Sequence, residues 1–309
     1  MFFRAAHFLA PRFFLYALFA CIFLIFRPHP GAAAPFSALA PAARIIYTAD
    51  TLGHVQPCRT CGNTSQGGLA RRATLLPKLA AEHARSLVVA GPNEFYADRS
   101  DTDAEQAATF APALHQAFGR MPYTAVYVSP AAMADFQRHG LPPLPHGVSV
   151  VDTPVTEIFR MGAMTAACVF LPAGTDKNGG PTPEQVLTAQ TAAREAAVKA
   201  DVVIGISPWG MRAENFLAPS LTGYFHIVFG GGPGIAVPGQ ASGNAGVPGP
   251  LWVRSDRRGR AVSVVDIFSL PAAGSAWLDG IHFSSRLVFL EPDVPCDPVV
   301  EGDVKGLQD

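Results

Sequence analysis

One pattern constrains the fold of this 309-residue chain more than any other feature. Short, unbroken apolar runs alternate with stretches of helical periodicity. RIIYT (Arg44 to Thr48), SLVVA (Ser86 to Ala90), TAVYV (Thr124 to Val128), VVIGI (Val202 to Ile206) and HIVF (His226 to Phe229) read as strands. A continuous apolar strand suits a sheet covered on both faces. Between the runs, Gly68 to Arg85 has Leu69, Ala73, Leu76, Leu79 and Ala80 close to one helical face, the 3.6-residue period of a packed helix. Ala104 to Phe118, Ala131 to His139, Pro183 to Lys199 and, weakly, Ala213 to Pro219 read the same way. Alternation of this kind predicts an α/β sandwich.

The remaining segments follow from turn chemistry. Val148 to Asp152 reads as a strand. Val155 to Arg160 and Thr165 to Leu171 flank Met161-Gly162 as a hairpin. Gly230 to Pro250 holds 8 Gly and 4 Pro in 21 residues and reads as a loop. Leu251 to Arg254 and Ala261 to Ser269 flank Asp256 to Gly259 as a second hairpin, and Ile281 to Leu290 is a last strand. The expected organisation is a signal peptide over 1–33, a linker over 34–43, one domain over 44–290 and a polar tail over 291–309.

The first of these rests on Arg4 and Arg12 ahead of the apolar run FFLYALFACIFLIF and the small residues beyond it, the pattern of a secretory signal peptide cut after Ala33. Fourteen helical residues span only about 21 Å, too short for a bilayer. An uncleaved N-terminal anchor is the alternative, and either way the body is expected outside the cytoplasm, periplasmic or otherwise exported. No later segment resembles a transmembrane helix. The net charge of −1 becomes more acidic once Arg4, Arg12 and Arg27 leave. That excludes the basic stripe that nucleic acid requires.

With Cys21 in the signal peptide, Cys58, Cys61, Cys168 and Cys296 remain. Four cysteines in an oxidising compartment permit disulfides in three pairings. The CxxC spacing favours Cys58–Cys61. Cys168, in the apolar run TAACVFL, reads as a buried free thiol, and a Cys168–Cys296 bridge is an unsupported alternative.

The stretch IIYTADTLGH…PC…GGLARRATLL resembles the opening of the bacterial 5′-nucleotidase (UshA-like) branch of the calcineurin-like metallophosphoesterases. The order of elements matches over most of 44–290, without the second, nucleotide-specificity domain. The resemblance implies a single-domain, metallophosphoesterase-like four-layer α/β/β/α sandwich. It also implies a dinuclear metal site at strand ends, which can be checked position by position. Asp50 stands where the first motif has its Asp, but Leu52 replaces the first His. Gly91-Pro92 replaces Gly-Asp, and Ser129-Pro130 replaces Gly-Asn-His. Pro208 stands for a His, and Gly231-Gly232-Pro233-Gly234 for Gly-His-x-His. Leu, Pro and Gly side chains coordinate no cation. The expectation is the fold without a metal cofactor and without phosphatase activity, with Asp50 as a turn residue.

Cys58-Arg59-Thr60-Cys61 then carries the remaining chemistry. It follows the first strand, on the side where open α/β sheets bind ligands. Three readings are open. As a redox dithiol, one cysteine attacks and the other resolves, with Arg59 favouring the thiolate and Asp50 and His54 in support. As a structural clip, the small loop stabilises by about 2 kcal/mol. As a metal site, His54, Cys58 and Cys61 need a fourth ligand such as Asp50 or Cys296. Haem attachment is excluded because Gly62 follows the motif. Some members of the degenerate branch carry selenocysteine in the equivalent loop, so the resemblance implies redox chemistry with sulfur in its place. The redox dithiol, with an unidentified redox partner or small ligand, is the working expectation. A non-catalytic binding protein using the old cleft and a residual phosphoester hydrolase are the alternatives.

Weaker motifs read structurally. Ser207 follows a strand, but Gly210 is one residue too late for a nucleophile elbow. The glycines at 230–234 lack the Lys-Ser/Thr of a phosphate loop. His226 and Trp209, Trp252 and Trp277 are expected to pack, and Arg71 and Arg72 to make a solvated face or salt bridges.

Overall fold

The computed structural model describes residues 40–57, 65–84, 86–95, 104–244, 247–305 and 307. The signal-peptide reading and the Cys58–Cys61 motif lie outside these residues.

Six strands, in the order β12-β11-β1-β2-β3-β4, form the first sheet. They are β1 (Ala43–Thr48), β2 (Ser86–Ala90), β3 (Ala125–Val128), β4 (Gly147–Val150), β11 (Ala261–Ile267) and β12 (Phe283–Phe289). β1 to β4 are mutually parallel, and β11 joins β1 antiparallel. The second sheet runs β5-β6-β7-β8-β10-β9. Its strands are β5 (Val155–Met161), β6 (Met164–Phe170), β7 (Val202–Ser207), β8 (Ile227–Gly230), β9 (Val237–Asn244) and β10 (Val247–Arg254).

The period-2 side-chain alternation of a strand sorts these residues into layers. In β1, Ile45 and Tyr47 point into a core shared by the two sheets, with Val89, Tyr127, Cys168, Ile206 and Phe229. Ile46 points the other way, onto α1 (Leu69–Ala81), α2 (Ala104–Arg120), α3 (Pro130–Arg138) and α6 (Pro298–Val304). The outer face of the second sheet, through Val169, Val203 and Val228, packs on α4 (Pro183–Ala197) and α5 (Gly210–Leu221). The result is a four-layer α/β/β/α sandwich, as the resemblance implied. Local signals set the helix starts. Thr182 caps α4 in a capping box with Gln185, and Pro183 occupies the first turn, where its missing N–H costs nothing. No helix among the described residues is long and apolar enough to cross a membrane.

Three expectations are corrected. Gly230 to Pro250 is not one loop. It contains β9 and the start of β10, which pair antiparallel with register shifts between Pro248 and Leu251. β9 is an edge strand, where Gly and Pro are tolerated. The expected hairpin around 256–259 does not form either. β10 and β11 belong to different sheets, and the 3₁₀ turn Arg257–Gly259 carries the chain between them. Leu251, Val253, Val265 and Ile267 all face the inter-sheet core, so opposite sheets bury both strands at once. Residues 291–309 are not simply a polar tail, because α6 buries Val300 and Val304 against α1 and α2. Cys168 is the buried free thiol expected of it, and Cys296 is free as well. One lies between the sheets and the other packs on the far side of the first sheet, so no bridge can join them.

Candidate functional site

The loops leaving β1, β2, β7 and β8 meet at one edge of the sandwich. Their meeting point is Asp50, 2% exposed. Its Oδ1 accepts hydrogen bonds from Asn93 Nδ2 (2.8 Å) and from the Gly232 N–H (2.8 Å). Burial pushes the Asp50 carboxyl up to about 7, against the pull of Asn93, the Gly232 N–H and Arg254. The Asp50 side chain reaches Asn93 and Gly232 on other loops, which corrects the reading of Asp50 as a turn residue bonding local backbone. Its N–H donates to Pro92 O (3.0 Å), and the Leu52 N–H to Asn93 O (2.8 Å). Asp50, Leu52 and Asn93 all have φ between 56° and 59°, a left-handed conformation costing of order 1–3 kcal/mol for each such residue. The interlocked hydrogen bonds and the burial of Leu52 hold them there.

The β8 loop closes from the other sheet. The Gly231 N–H donates to Ser207 O (2.7 Å), and Tyr47 Oη donates to Gly230 O (3.2 Å). Pro92 lies so close to Gly231 that a Cβ there would sit 2.5 Å from Pro92 Cγ. Arg254, 1% exposed, donates through Nη1 to Glu214 and through Nη2 to Gly232 O (2.7 Å). Trp252 Nε1 also donates to Glu214 (3.0 Å).

A second buried network lies beside Asp50. Glu94, 1% exposed, faces Arg72 Nη1 at 3.2 Å and accepts from Thr48 Oγ1 (2.5 Å) and from Thr51 Oγ1. Arg72 Nη2 donates to Thr51 Oγ1 (2.6 Å), and its guanidinium lies over the Phe118 ring. Arg72 therefore makes the salt bridge that was expected of it, but from the interior rather than from a solvated face. Glu94, Asn93, Glu214 and Arg254 were missed by sequence reasoning. For Glu94 and Arg254 the available signal was a charged residue within four positions of the end of an apolar strand, as in SLVVAGPNE and LWVR; nothing local marked Asn93 or Glu214.

A cleft of about 210 Å³ opens nearby, its walls including Gln56, Pro57, Ser65, Arg71, Cys296 and Glu301. Pro57 and Ser65 are the described residues on either side of segment 58–64, which carries Cys58, Arg59 and Cys61. The C-terminal segment holds both flanks. Gln56 Nε2 donates to Val304 O (2.8 Å), Gln66 Nε2 to Glu291 (2.7 Å), and the Gly67 N–H to Leu290 O (2.9 Å). Arg71 Nη1 donates to Ser65 O (2.7 Å). Burial and Glu301 raise the Cys296 thiol. His54, half-buried, donates from its backbone to Thr51 O (3.0 Å). Asp50 and Cys296, the two alternatives for a fourth zinc ligand, thus have different settings: Asp50 meets the β8 loop, and Cys296 lines the cleft.

The remaining motifs are structural. Ser129 Oγ caps α3 by accepting from the Ala132 N–H (3.2 Å). Ser207 Oγ accepts from the Trp209 N–H (3.2 Å), and His226 Nδ1 from the Val203 N–H (3.0 Å). Trp209, Trp252 and Trp277 are buried. Among the described residues, no group of three or more His, Cys, Asp or Glu is arranged to hold a metal ion.

No family model and no curated protein matches the sequence. Solved structures do match the fold. A 5′-nucleotidase precursor from Thermus thermophilus superposes with a TM-score of 0.62 at 17% identity, over 86% of this chain and 58% of that one. The Thermus thermophilus sulfate thiohydrolase SoxB gives 0.65 at 13% identity, over 86% and 60%. The calcineurin-like phosphoesterase YfkN from Bacillus subtilis gives 0.58 at 15% identity, over 86% and 96%. The chain spans under two thirds of the first two. These likenesses establish the fold as that of the 5′-nucleotidases and calcineurin-like phosphoesterases.

Proposed function

We propose that this chain is an exported protein that uses the phosphoesterase fold as a scaffold, without two-metal hydrolysis, and exchanges thiols and disulfide through Cys58 and Cys61. The observation that carries the first half is the closure of the strand-end loops on one another. Two-metal catalysis needs paired cations held by several oxygen and nitrogen ligands around an open position. Here Pro92 packs on Gly231, and Asp50 Oδ1 is engaged by Gly232 and Asn93. Leu52, Pro92, Pro208 and Gly231 to Gly234 contribute no ligand side chain. The residues do not fit a dinuclear centre.

The second half rests on the motif and its setting. CxxC is a spacing in which a second thiol can resolve a mixed disulfide on the first. Its segment starts from Pro57 and ends at Ser65, both on the wall of the cleft. One thiolate attacks a sulfur of a partner's disulfide, which forms a mixed disulfide and releases one partner thiolate. The second cysteine, its proton lost to solvent, displaces the partner's other thiolate. Two electrons pass to the partner, and Cys58–Cys61 closes. Arg59 favours the attacking thiolate electrostatically.

Alkylation and mass spectrometry across a glutathione series test this. A reduction potential near or above about −250 mV fits a pair that cycles in an exported compartment. A potential below about −300 mV, or thiols that never pair, rejects it in favour of a clip or a metal site. The cleft favours the second reading, a binding protein. At about 210 Å³ it is smaller than the several hundred Å³ of ordinary ligand pockets, which limits it to a small molecule or a partner's side chain.

A further inference from the structure

We infer that the loop cluster around Asp50 is an inter-sheet latch, closed to divalent cations, in which the Arg254 guanidinium supplies the positive charge beside Asp50. The inference deepens the metal-free half of the proposed function and stands apart from the thiol chemistry.

Three observations converge. The first is steric. Pro92, at the end of β2, and Gly231, at the end of β8, occupy one space. A side chain at 231 would meet Pro92 Cγ at 2.5 Å and Pro92 Cδ at 3.3 Å. Gly231 cannot take a side chain unless Pro92 shifts or changes, so the two loops fit closely. Gly232 next door has φ 80°, and a Cβ there would approach Pro208 O at 2.6 Å. A ligating side chain is therefore excluded at two successive positions by backbone and packing.

The second is the polar inventory. The Gly232 backbone is used on both sides. Its N–H goes to Asp50 in the first sheet's loop, and its carbonyl accepts from Arg254 Nη2 at the end of β10. Arg254 is also paired with Glu214 on α5 and donates through Nε to Ile235 O (3.3 Å). Loops of both sheets thus converge on one residue, with one helix joined to it through Arg254.

The third is charge. A buried guanidinium is a permanent cation; Glu214 balances its charge, while it holds the Gly232 carbonyl and favours the Asp50 carboxylate. A lysine lacks the planar fork needed to reach Glu214 and Gly232 O together.

A double-mutant cycle tests the steric half. Gly231→Ala is measured in the wild-type and in the Pro92→Ala background, by urea midpoint. The expected result is a marked fall in midpoint for Gly231→Ala alone and less than half that fall when Pro92 is Ala, because Ala lacks Cγ and Cδ. Equal falls in the two backgrounds overturn the mutual fit. Manganese tests the cation half, being a hard ion that prefers oxygen ligands and so reports on Asp50 rather than on the thiols. Chelator-stripped full-length protein is titrated with Mn²⁺. The expected result is no site removed by Asp50→Asn. Stoichiometric Mn²⁺ binding that Asp50→Asn abolishes overturns the inference. Hydrogen exchange then reads the latch itself. Arg254→Lys and Arg254→Met are both expected to raise exchange at Gly232 more than in the β6–β7 core. Unchanged exchange at Gly232 in Arg254→Met overturns the role of Arg254. None of these readouts depends on Cys58 or Cys61, so the redox reading can fail while the latch stands.

Discussion

The Asp50 carboxylate accepts the Gly232 N–H at 2.8 Å, although 182 positions separate the two residues in the chain. The contact ties a loop of one sheet to a loop of the other inside a buried space. Burial raises the Asp50 carboxyl from 3.8 to about 7, so the folded state holds its proton to a higher pH than the unfolded state does. Stability is accordingly lost as pH rises from about 4 to about 7 and then levels off. Asp50→Asn keeps an Oδ1 acceptor and removes the charge. Its stability relative to wild type should therefore rise between pH 5 and pH 8 by roughly 2 kcal/mol. Thermal melts at the two pH values check this, and a relative stability that falls with pH contradicts it.

Glu94 and Arg72 form an ion pair at 3.2 Å with both side chains almost fully buried. Removing one partner leaves the other charged in low dielectric, which costs about 3–5 kcal/mol. Arg72→Met should lower the urea-unfolding free energy by about that amount. Arg72→Met with Glu94→Gln should recover part of it. A double variant as unstable as the sum of the singles would show that the two side chains act independently.

Cys168 is fully buried between the sheets, and burial raises its thiol well above the ordinary range. Cys296 is half-buried at the cleft, with a thiol raised by burial and by Glu301. Both shifts lower the thiolate fraction near neutral pH, and the thiolate is the species that reacts. Iodoacetamide should modify Cys296 in the native protein more slowly than a free thiol and Cys168 only after unfolding. Peptide mapping reads both. Rapid native labelling of Cys168 would contradict the inter-sheet placement.

Val300 is fully buried where α6 meets α1 and α2. Val300→Ala removes two buried carbon groups and should cost about 2 kcal/mol, counting the cavity left behind. An exposed control on the same helix, Val299→Ala, at 50% exposure, should cost a few tenths of that figure. Chemical denaturation distinguishes the two, and equal small effects would mean that the C-terminal segment contributes nothing to the core.

Much of the layered fold was legible from local signals. An apolar strand such as SLVVA and a periodic helix such as LARRATLLPKLAA carry their structure in adjacent residues, because backbone geometry repeats every two or 3.6 positions. Ser86–Ala90 forms as expected, and the order of elements led to the sandwich. The segments that misled were those whose local chemistry is shared by two outcomes. Gly and Pro mark both loops and edge strands, and the chemistry around Asp256 to Gly259 suits both a hairpin and a crossover between sheets.

The sequence by itself determined most of the strands and helices, whose apolar runs and periodicity are local. It did not reveal Glu94, Glu214 or Arg254 as partners, nor that Pro92 would fill the space beside Gly231. Those facts depend on side chains brought together by the packing of two sheets, from positions far apart in the chain. Only the tertiary structure decided them, because burial and the loss of water set the strength of each charge and the room left for each atom.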